Sequence, residues 1–285
     1  MLSYRHAFHA GSFADVIKHA ILVHVLRHVV RKPKPVYVLD THAGAGSYLL
    51  HMPMAQKTGE YRAGIGRALA AAGPAPELLG PYLKLVRSAN TGGELRHYPG
   101  SPALARVLLR PEDRLELVEL HGTDHGVLAA SVPGEPREQI VHADGLAVMV
   151  ERMPPPERRA VVLVDPSYEV KSDYNTVVEA LAQAHRRFRT GTFLLWYPVI
   201  ERARTETLLA ALRAAGMPGQ FRIELGLRPD APGHGMTAAG VVVINPPRTL
   251  PEVAATGLPW LAGALGAAGP VLAEWLVPPA NRHPG

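Results

Sequence analysis

No cysteine occurs in the 285 residues, which excludes disulfides and thiolate-held metals. That absence suits a reducing compartment, and the expected location is cytoplasmic. No apolar run approaches the roughly 20 residues that cross a bilayer, and Met1-Leu-Ser-Tyr-Arg-His opens without the apolar core of a signal peptide. Acid is in deficit: 25 Asp and Glu face 30 Lys and Arg, for a formal charge of +5 and a pI near 9.5. The excess favours an acidic partner, nucleic acid first. With 47% hydrophobic residues the chain can bury a full core, so residues 1–285 are expected to form one domain with an elaboration.

Most of the chemistry lies in Ala160-Val-Val-Leu-Val-Asp165-Pro166-Ser167-Tyr168. An apolar, largely β-branched run followed by a carboxylate and a proline reads as a buried parallel strand entering a loop. Ligands of open α/β sheets sit just beyond such strand ends. The tetrapeptide resembles the (Asp/Asn)-Pro-Pro-aromatic signature of enzymes that methylate planar amino groups, with Ser167 at the second proline. Such an amine is a poor nucleophile because its lone pair is delocalised into the ring. Two acceptors on its N–H groups, the Asp165 carboxylate and the Pro166 carbonyl, would return that pair to nitrogen. Tyr168 would stack on a base that is unpaired or flipped from its helix. Pro166 restricts Asp165 to extended backbone, whereas Ser167 frees Pro166 from the same restraint, so lost rigidity is expected rather than lost chemistry. The competing reading is a strand-end turn with a surface tyrosine.

Three further acids close strands. Asp40 ends a strand over 36–40 and runs into Thr41-His-Ala-Gly-Ala-Gly46, where a Gly-x-Gly turn lets backbone approach a nucleotide-like ligand. Leu49 stands where a dinucleotide fingerprint has its third glycine, which argues against an NAD enzyme. Glu119 closes 115–119 and suits a ribose hydroxyl pair; Asp144 closes 139–144 and suits an adenine amino group. Between Gly46 and Leu115 the chain is too long for a simple crossover, and 50–95 reads as an inserted helical subdomain. Helices are expected over 14–31, 175–189 and 201–215, and strands over 193–198, 221–227 and 241–245. His24 and His28 lie one turn apart on the first helix with no third ligand at suitable spacing, so they read as solvated and no metal is expected. Asn245-Pro-Pro-Arg248 imitates the 165–168 motif, but its fourth residue is not aromatic, and a structural role is expected. The tail, 278–285, reads as disordered.

These features belong to a longer series: Met1-Leu-Ser-Tyr-Arg-His, His9-Ala-Gly, Ala14-Asp-Val, Lys18-His19, Asp40-Thr-His-Ala-Gly-Ala-Gly46, Thr58-Gly-Glu-Tyr61, Tyr98-Pro-Gly-Ser-Pro102, Asp173-Tyr174, Leu195-Trp-Tyr-Pro198, Met236-Thr-Ala and Asn245-Pro-Pro. On them the whole chain resembles the RlmJ-type bacterial ribosomal RNA adenine-N6 methyltransferases, which act on large-subunit RNA. The resemblance implies an α/β fold of the class I S-adenosyl-L-methionine methyltransferases, Rossmann-like, with seven strands ordered 3-2-1-4-5-7-6 and a helical insertion. It implies methyl-donor contacts from His19, His42, Gly44, Ser101, Glu119, Asp144, Gly145 and Asp165. Asp165, with Pro166 and Tyr168, would be catalytic, and Tyr4 and Lys18 would meet RNA. The implied partner is 23S ribosomal RNA, protein-free or early in assembly, met by a monomer. The segment 4–6, the insertion, and Arg96-His-Tyr98 would form the RNA-facing rim. Other planar amines remain open at this point: ribosomal RNA guanine N2, DNA adenine N6, or a protein glutamine. So does a non-catalytic RNA-binding relative. Asp165 counts against the DNA and glutamine enzymes, which favour Asn there.

Overall fold

Apolar runs without polar interruption become strands that helices cover on both faces. The computed structural model describes residues 5–131, 134–170, 172–231, 233 and 235–280. In chain order its elements are α1 (Phe13–Val29), β1 (Tyr37–Asp40), β2 (Ser47–Leu49), α2 (Pro53–Thr58), α3 (Arg67–Ala70), α4 (Gly80–Ser88), β3 (His97–Pro99), α5 (Ser101–Leu108), β4 (Arg114–Val118) and α6 (Gly122–Ser131). They continue with β5 (Glu138–Val141), α7 (Gly145–Arg152), β6 (Ala160–Val164), α8 (Asp173–Arg187), β7 (Thr192–Val199), α9 (Arg202–Ala214), β8 (Gln220–Gly226), β9 (Ala238–Ile244), α10 (Leu250–Leu265) and β10 (Val271–Val277).

The main sheet has eight strands in the order β10-β8-β9-β7-β6-β1-β4-β5. Seven were expected, and these seven keep the expected order; the eighth, β10, pairs antiparallel with β8 and extends that edge. β5, β4, β1, β6 and β7 run parallel, so their carboxyl ends share one edge of the sheet. β9 runs against β7, so its carboxyl end lies at the opposite edge.

Side chains alternate across β6. Val161 and Leu163 join the core built with α1, α4, α5 and α10, while Val162 and Val164 join the core under α7, α8 and α9. α1 is buried without a break from Phe13 to Leu26. A helix apolar all round is one enclosed on all sides, and α1 lies between the sheet and other helices. This enclosure corrects the reading of His24 as solvated: it is 6% exposed, hydrogen-bonds Thr249 Oγ1 at 3.0 Å, and is pushed down to about 4 by burial.

The 50–95 segment shares this first core. Leu78, Tyr82, Leu83 and Val86 pack in the same cluster as α1, the β2–β3 hairpin brackets the segment, and Ile65 N–H bonds the Gly11 carbonyl at 2.9 Å.

Candidate active site

The carboxyl ends of β1, β4, β5 and β6 open onto one cavity of about 270 Å³. Every site residue expected from the sequence lines it except Tyr168, Tyr4 and, among the strand-end acids, Asp40; Tyr4, like Lys171, lies outside the described residues.

The strand-end acids are held in different ways. Asp40 is buried; its Oδ1 accepts the His42 N–H at 3.2 Å, while its Oδ2 has no hydrogen-bond partner among the described residues. Burial pushes its carboxyl up to about 6, against the lowering effect of the neighbouring Ser101 hydroxyl. Glu119 accepts the Gly44 N–H at 2.7 Å and the His121 N–H at 2.6 Å, which ties the Gly-x-Gly turn to β4. Asp144 caps α7 by accepting the Leu146 N–H at 2.9 Å, and its side chain stays exposed. Gly145 is fixed by close approach: a Cβ there would lie 1.9 Å from the Thr41 carbonyl oxygen. Gly44 and Gly46 take left-handed backbone, φ +58 and +80.

Asp165 stands at the end of β6 with Lys18 Nζ 2.5 Å from its Oδ2. The same ammonium is 2.9 Å from Asp15 Oδ1. Asp15 Oδ2 accepts the Gly11 N–H at 2.9 Å and a His6 Nε2–H at 2.9 Å. Burial alone would lower Lys18's proton affinity; Asp15 and Asp165 outweigh it and hold the ammonium above its ordinary range. Burial would likewise raise Asp15, but His6 and Lys18 hold that carboxyl well below the usual range. His19 is pushed down to about 3 by burial and is neutral at physiological pH, with Nδ1 bonded to the Tyr98 hydroxyl at 2.7 Å.

Three expectations are corrected by this geometry. Lys18 is 4% exposed and engaged by two carboxylates, so it acts on Asp165 and is not presented to RNA phosphates. Tyr98 is fully buried, bonded to His19 and to Tyr82 at 2.9 Å, and has no place on an RNA-facing rim. Tyr168 has φ +53, which turns its ring from the cavity into the core under β7. There its hydroxyl donates to the Trp196 carbonyl at 2.8 Å and its ring packs 4.5 Å from Tyr174. The aromatic lining of the cavity comes instead from Trp196 and Tyr48. Asn245 lies at the far edge of the sheet, where its side-chain amide donates to the carbonyls of Arg189 and Gly191, both at 2.8 Å. The imitation motif is thus a loop brace.

Asp15, Tyr48 and Trp196 went unread in the sequence as site residues. Only Asp15 left a signal, an acid three positions before Lys18 on one helix face.

A family model described as ribosomal RNA large subunit methyltransferase D, RlmJ, matches residues 33–277. The chain is 43% identical over 280 residues to ribosomal RNA large subunit methyltransferase J of Escherichia coli (strain K12), covering 98% of this chain and 100% of that one. It is also 43% identical to the Haemophilus influenzae protein of the same name, over 98% of this chain and 100% of the relative. The crystal structure of a Legionella pneumophila protein superposes with a TM-score of 0.86 at 36% identity, over 93% of this chain and 98% of that one. A probable spermidine synthase from Corynebacterium glutamicum, 12% identical with a TM-score of 0.50 over 92% and 74% of the two chains, shares the fold alone. With the family model spanning most of its length and two relatives matching it end to end, the chain belongs to the RlmJ family of ribosomal RNA large subunit methyltransferases.

Proposed function

We propose that this protein transfers a methyl group from S-adenosyl-L-methionine to the exocyclic N6 of one adenine in 23S ribosomal RNA, acting as a cytoplasmic monomer on RNA that is protein-free or early in assembly. The observation that carries the reading is Asp165. It sits at a strand end in the same cavity as Glu119 and Asp144, with Lys18 engaging one carboxylate oxygen and Pro166 next in the chain.

The cavity fits the donor. Glu119 suits the ribose hydroxyls, and Asp144 with its exposed carboxylate suits the adenine amino group. Gly44 and Gly145 present backbone alone to the cavity, and His19, His42 and Ser101 line it beside them. When bound, S-adenosyl-L-methionine supplies an electrophilic methyl group on a sulfonium.

The remaining chemistry belongs to the chain. Lys18, braced by Asp15, fixes Asp165 through Oδ2 and leaves Oδ1 to accept one N–H of the adenine amine. The Pro166 carbonyl accepts the other, and together they localise the lone pair on nitrogen. Asp165 Oδ1 is then the nearest group to take the proton that the methylated nitrogen sheds. Trp196 offers the base an aromatic surface in place of Tyr168.

The test supplies protein-free large-subunit RNA and a methyl-labelled donor, then digests the RNA to nucleosides for mass spectrometry. N6-methyladenosine is the expected product. Asp165→Ala should lower the rate by roughly 10²–10⁴-fold, as for loss of a positioned acid–base group, while Asp165→Asn keeps partial activity through one amide oxygen. N2-methylguanosine as the product, or wild-type turnover in the alanine variant, would overturn the reading.

A further inference from the structure

The cavity is acidic. Among the described residues, Glu119, Asp124, Asp144, Asp165, Glu169 and Asp173 line it against a single lysine, Lys18, and Lys18 is engaged by two carboxylates. Arg5, at the cavity's margin, is itself paired with Asp124 at 3.0 Å. Such a site repels phosphates, yet the chain as a whole carries +5. Phosphate affinity must be supplied somewhere else.

Three loops meet at the other end of the sheet, at the amino ends of β1, β4 and β6. The 30–36 loop lies beside 158–159 through the Tyr37 N–H to Arg159 carbonyl bond at 3.0 Å, and beside 110–113 through the Val36 N–H to Asp113 bond at 3.0 Å. With the end of α1 they gather Arg27, Arg31, Lys32, Lys34, Arg110, Arg158 and Arg159; of the nearby acids Glu112, Asp113 and Glu157, the first two are paired with Arg110 and the third with Arg114.

Some of these cations have structural work. Arg27 complements the carboxyl end of α1. Arg110 donates to the Lys32 and Lys34 carbonyls at 2.9 Å each, and Arg159 donates to the Val29 carbonyl at 2.6 Å. Arg31, Lys32, Lys34 and Arg158 have no such work: all four are exposed, and none is in an ion pair among the described residues. Pro33 and Pro35 hold Lys32 and Lys34 in a stiff turn, and Arg158 projects from a left-handed position, φ +54, that costs a non-glycine residue energy. The cluster also repels itself. After burial, it is Arg110 that lowers Arg159, and Arg31, Lys32 and Arg159 that lower His28.

We propose that this rear cluster, centred on Arg31, Lys32, Lys34 and Arg158, is the second contact of the ribosomal RNA substrate and binds the phosphate backbone of a segment remote from the target base. The inference rests on the RNA reading above and deepens it by separating affinity from chemistry. Along α1, Lys18 and Val29 are eleven residues apart, roughly 16 Å at 1.5 Å per residue, and Arg31 follows two residues beyond. A structured RNA with its target base in the cavity can lay a neighbouring helix across that distance. Like charges held together without counterions are what a polyanion relieves, and contacts of this kind set affinity without choosing sequence.

The experiment uses the full chain with Arg31→Gln, Lys32→Gln and Lys34→Gln combined. Binding and methylation are measured on protein-free large-subunit RNA and on a short oligonucleotide that carries the target base but cannot span the distance. For the long RNA, affinity should fall roughly ten- to hundredfold near 0.1 M salt, and the slope of log affinity against log salt should shrink by about two to three. The kcat at saturating RNA, the donor affinity and binding of the short oligonucleotide should stay at wild-type values. Equal weakening on long and short RNA would overturn the proposal, because it would reflect net charge alone. Unchanged long-RNA binding with an unchanged salt slope, in an enzyme whose wild type methylates RNA, would overturn it and leave the function standing. A wild type that neither binds nor methylates RNA would overturn both.

Discussion

Asp40 is where burial and chemistry pull hardest against each other. Its carboxyl lies at about 6 in the folded protein against an ordinary 3.8, because burial penalises the charge before any ligand arrives. A folded-state value above the unfolded one means that the protonated form favours folding. Its contribution is complete below about pH 4 and is lost as pH rises through 6. Between pH 5 and pH 7.5 this one group should cost the ligand-free protein about 1–2 kcal/mol. Asp40→Asn should therefore flatten that part of the stability profile in urea unfolding, and a variant whose stability still falls as steeply as wild type would show that another group is responsible. The placement of Asp40, Glu119 and Asp165 at strand ends was readable from the sequence because each ends an apolar run. Asp15 and Trp196 were not, since each is embedded in an apolar segment and gains its role only when α1 and β7 are brought beside Asp165. Tyr168 shows the converse. Its motif position predicted a stacking surface, but the backbone angle at that residue directs the ring inward, and no residue-type pattern encodes that angle.

At the scale of elements, the carboxyl end of β1 and the start of α7 are locked by contact. Gly145 leaves no room for a methyl group beside the Thr41 carbonyl, and the contact is with backbone, which cannot rotate away. Gly145→Ala should push α7 outward and carry Asp144 with it, for about 1–3 kcal/mol of lost stability, as for overpacking elsewhere. Donor affinity should drop together with stability; denaturant melts and calorimetry on the same preparation would expose a variant that binds donor normally, which would mean that α7 does not position the site. β1, β4 and β6 were legible because each is a buried run that leads directly into an acid. α10 was not, since Pro259 sits in its interior and Gly257 and Gly263 interrupt its pattern. β10 was missed too: an edge strand exposed along much of its length lacks the continuous apolar run that marked the others. The packing of the 50–95 segment was not legible, because a segment's own periodicity does not say whether its apolar face closes on itself or on α1.

At the scale of the molecule, the enclosed acidic cleft and the cationic far end constrain what can be methylated. Asp165 is only 15% exposed at its side chain and lines the cavity, so a base must leave its stack to reach it. Unstacking is least costly for a base that is already unpaired, and costs a few kcal/mol within a regular duplex. Ribosomal RNA offers loops and junctions where this condition is met, while an assembled subunit packs such elements against protein and other RNA. Protein-free large-subunit RNA should therefore be the best methyl acceptor, with intact subunits and duplex DNA far behind at equal concentration of sites. Raising salt should weaken RNA binding steeply while donor binding barely changes, because the one is carried by exposed charges and the other by a recessed cavity. Parallel methylation assays on the three acceptors, each with a salt series, decide the matter. If intact subunits or duplex DNA accept methyl groups faster than free RNA, the cleft must open further than its lining implies, and the assignment of protein-free RNA as the substrate fails even though the chemistry at Asp165 stands.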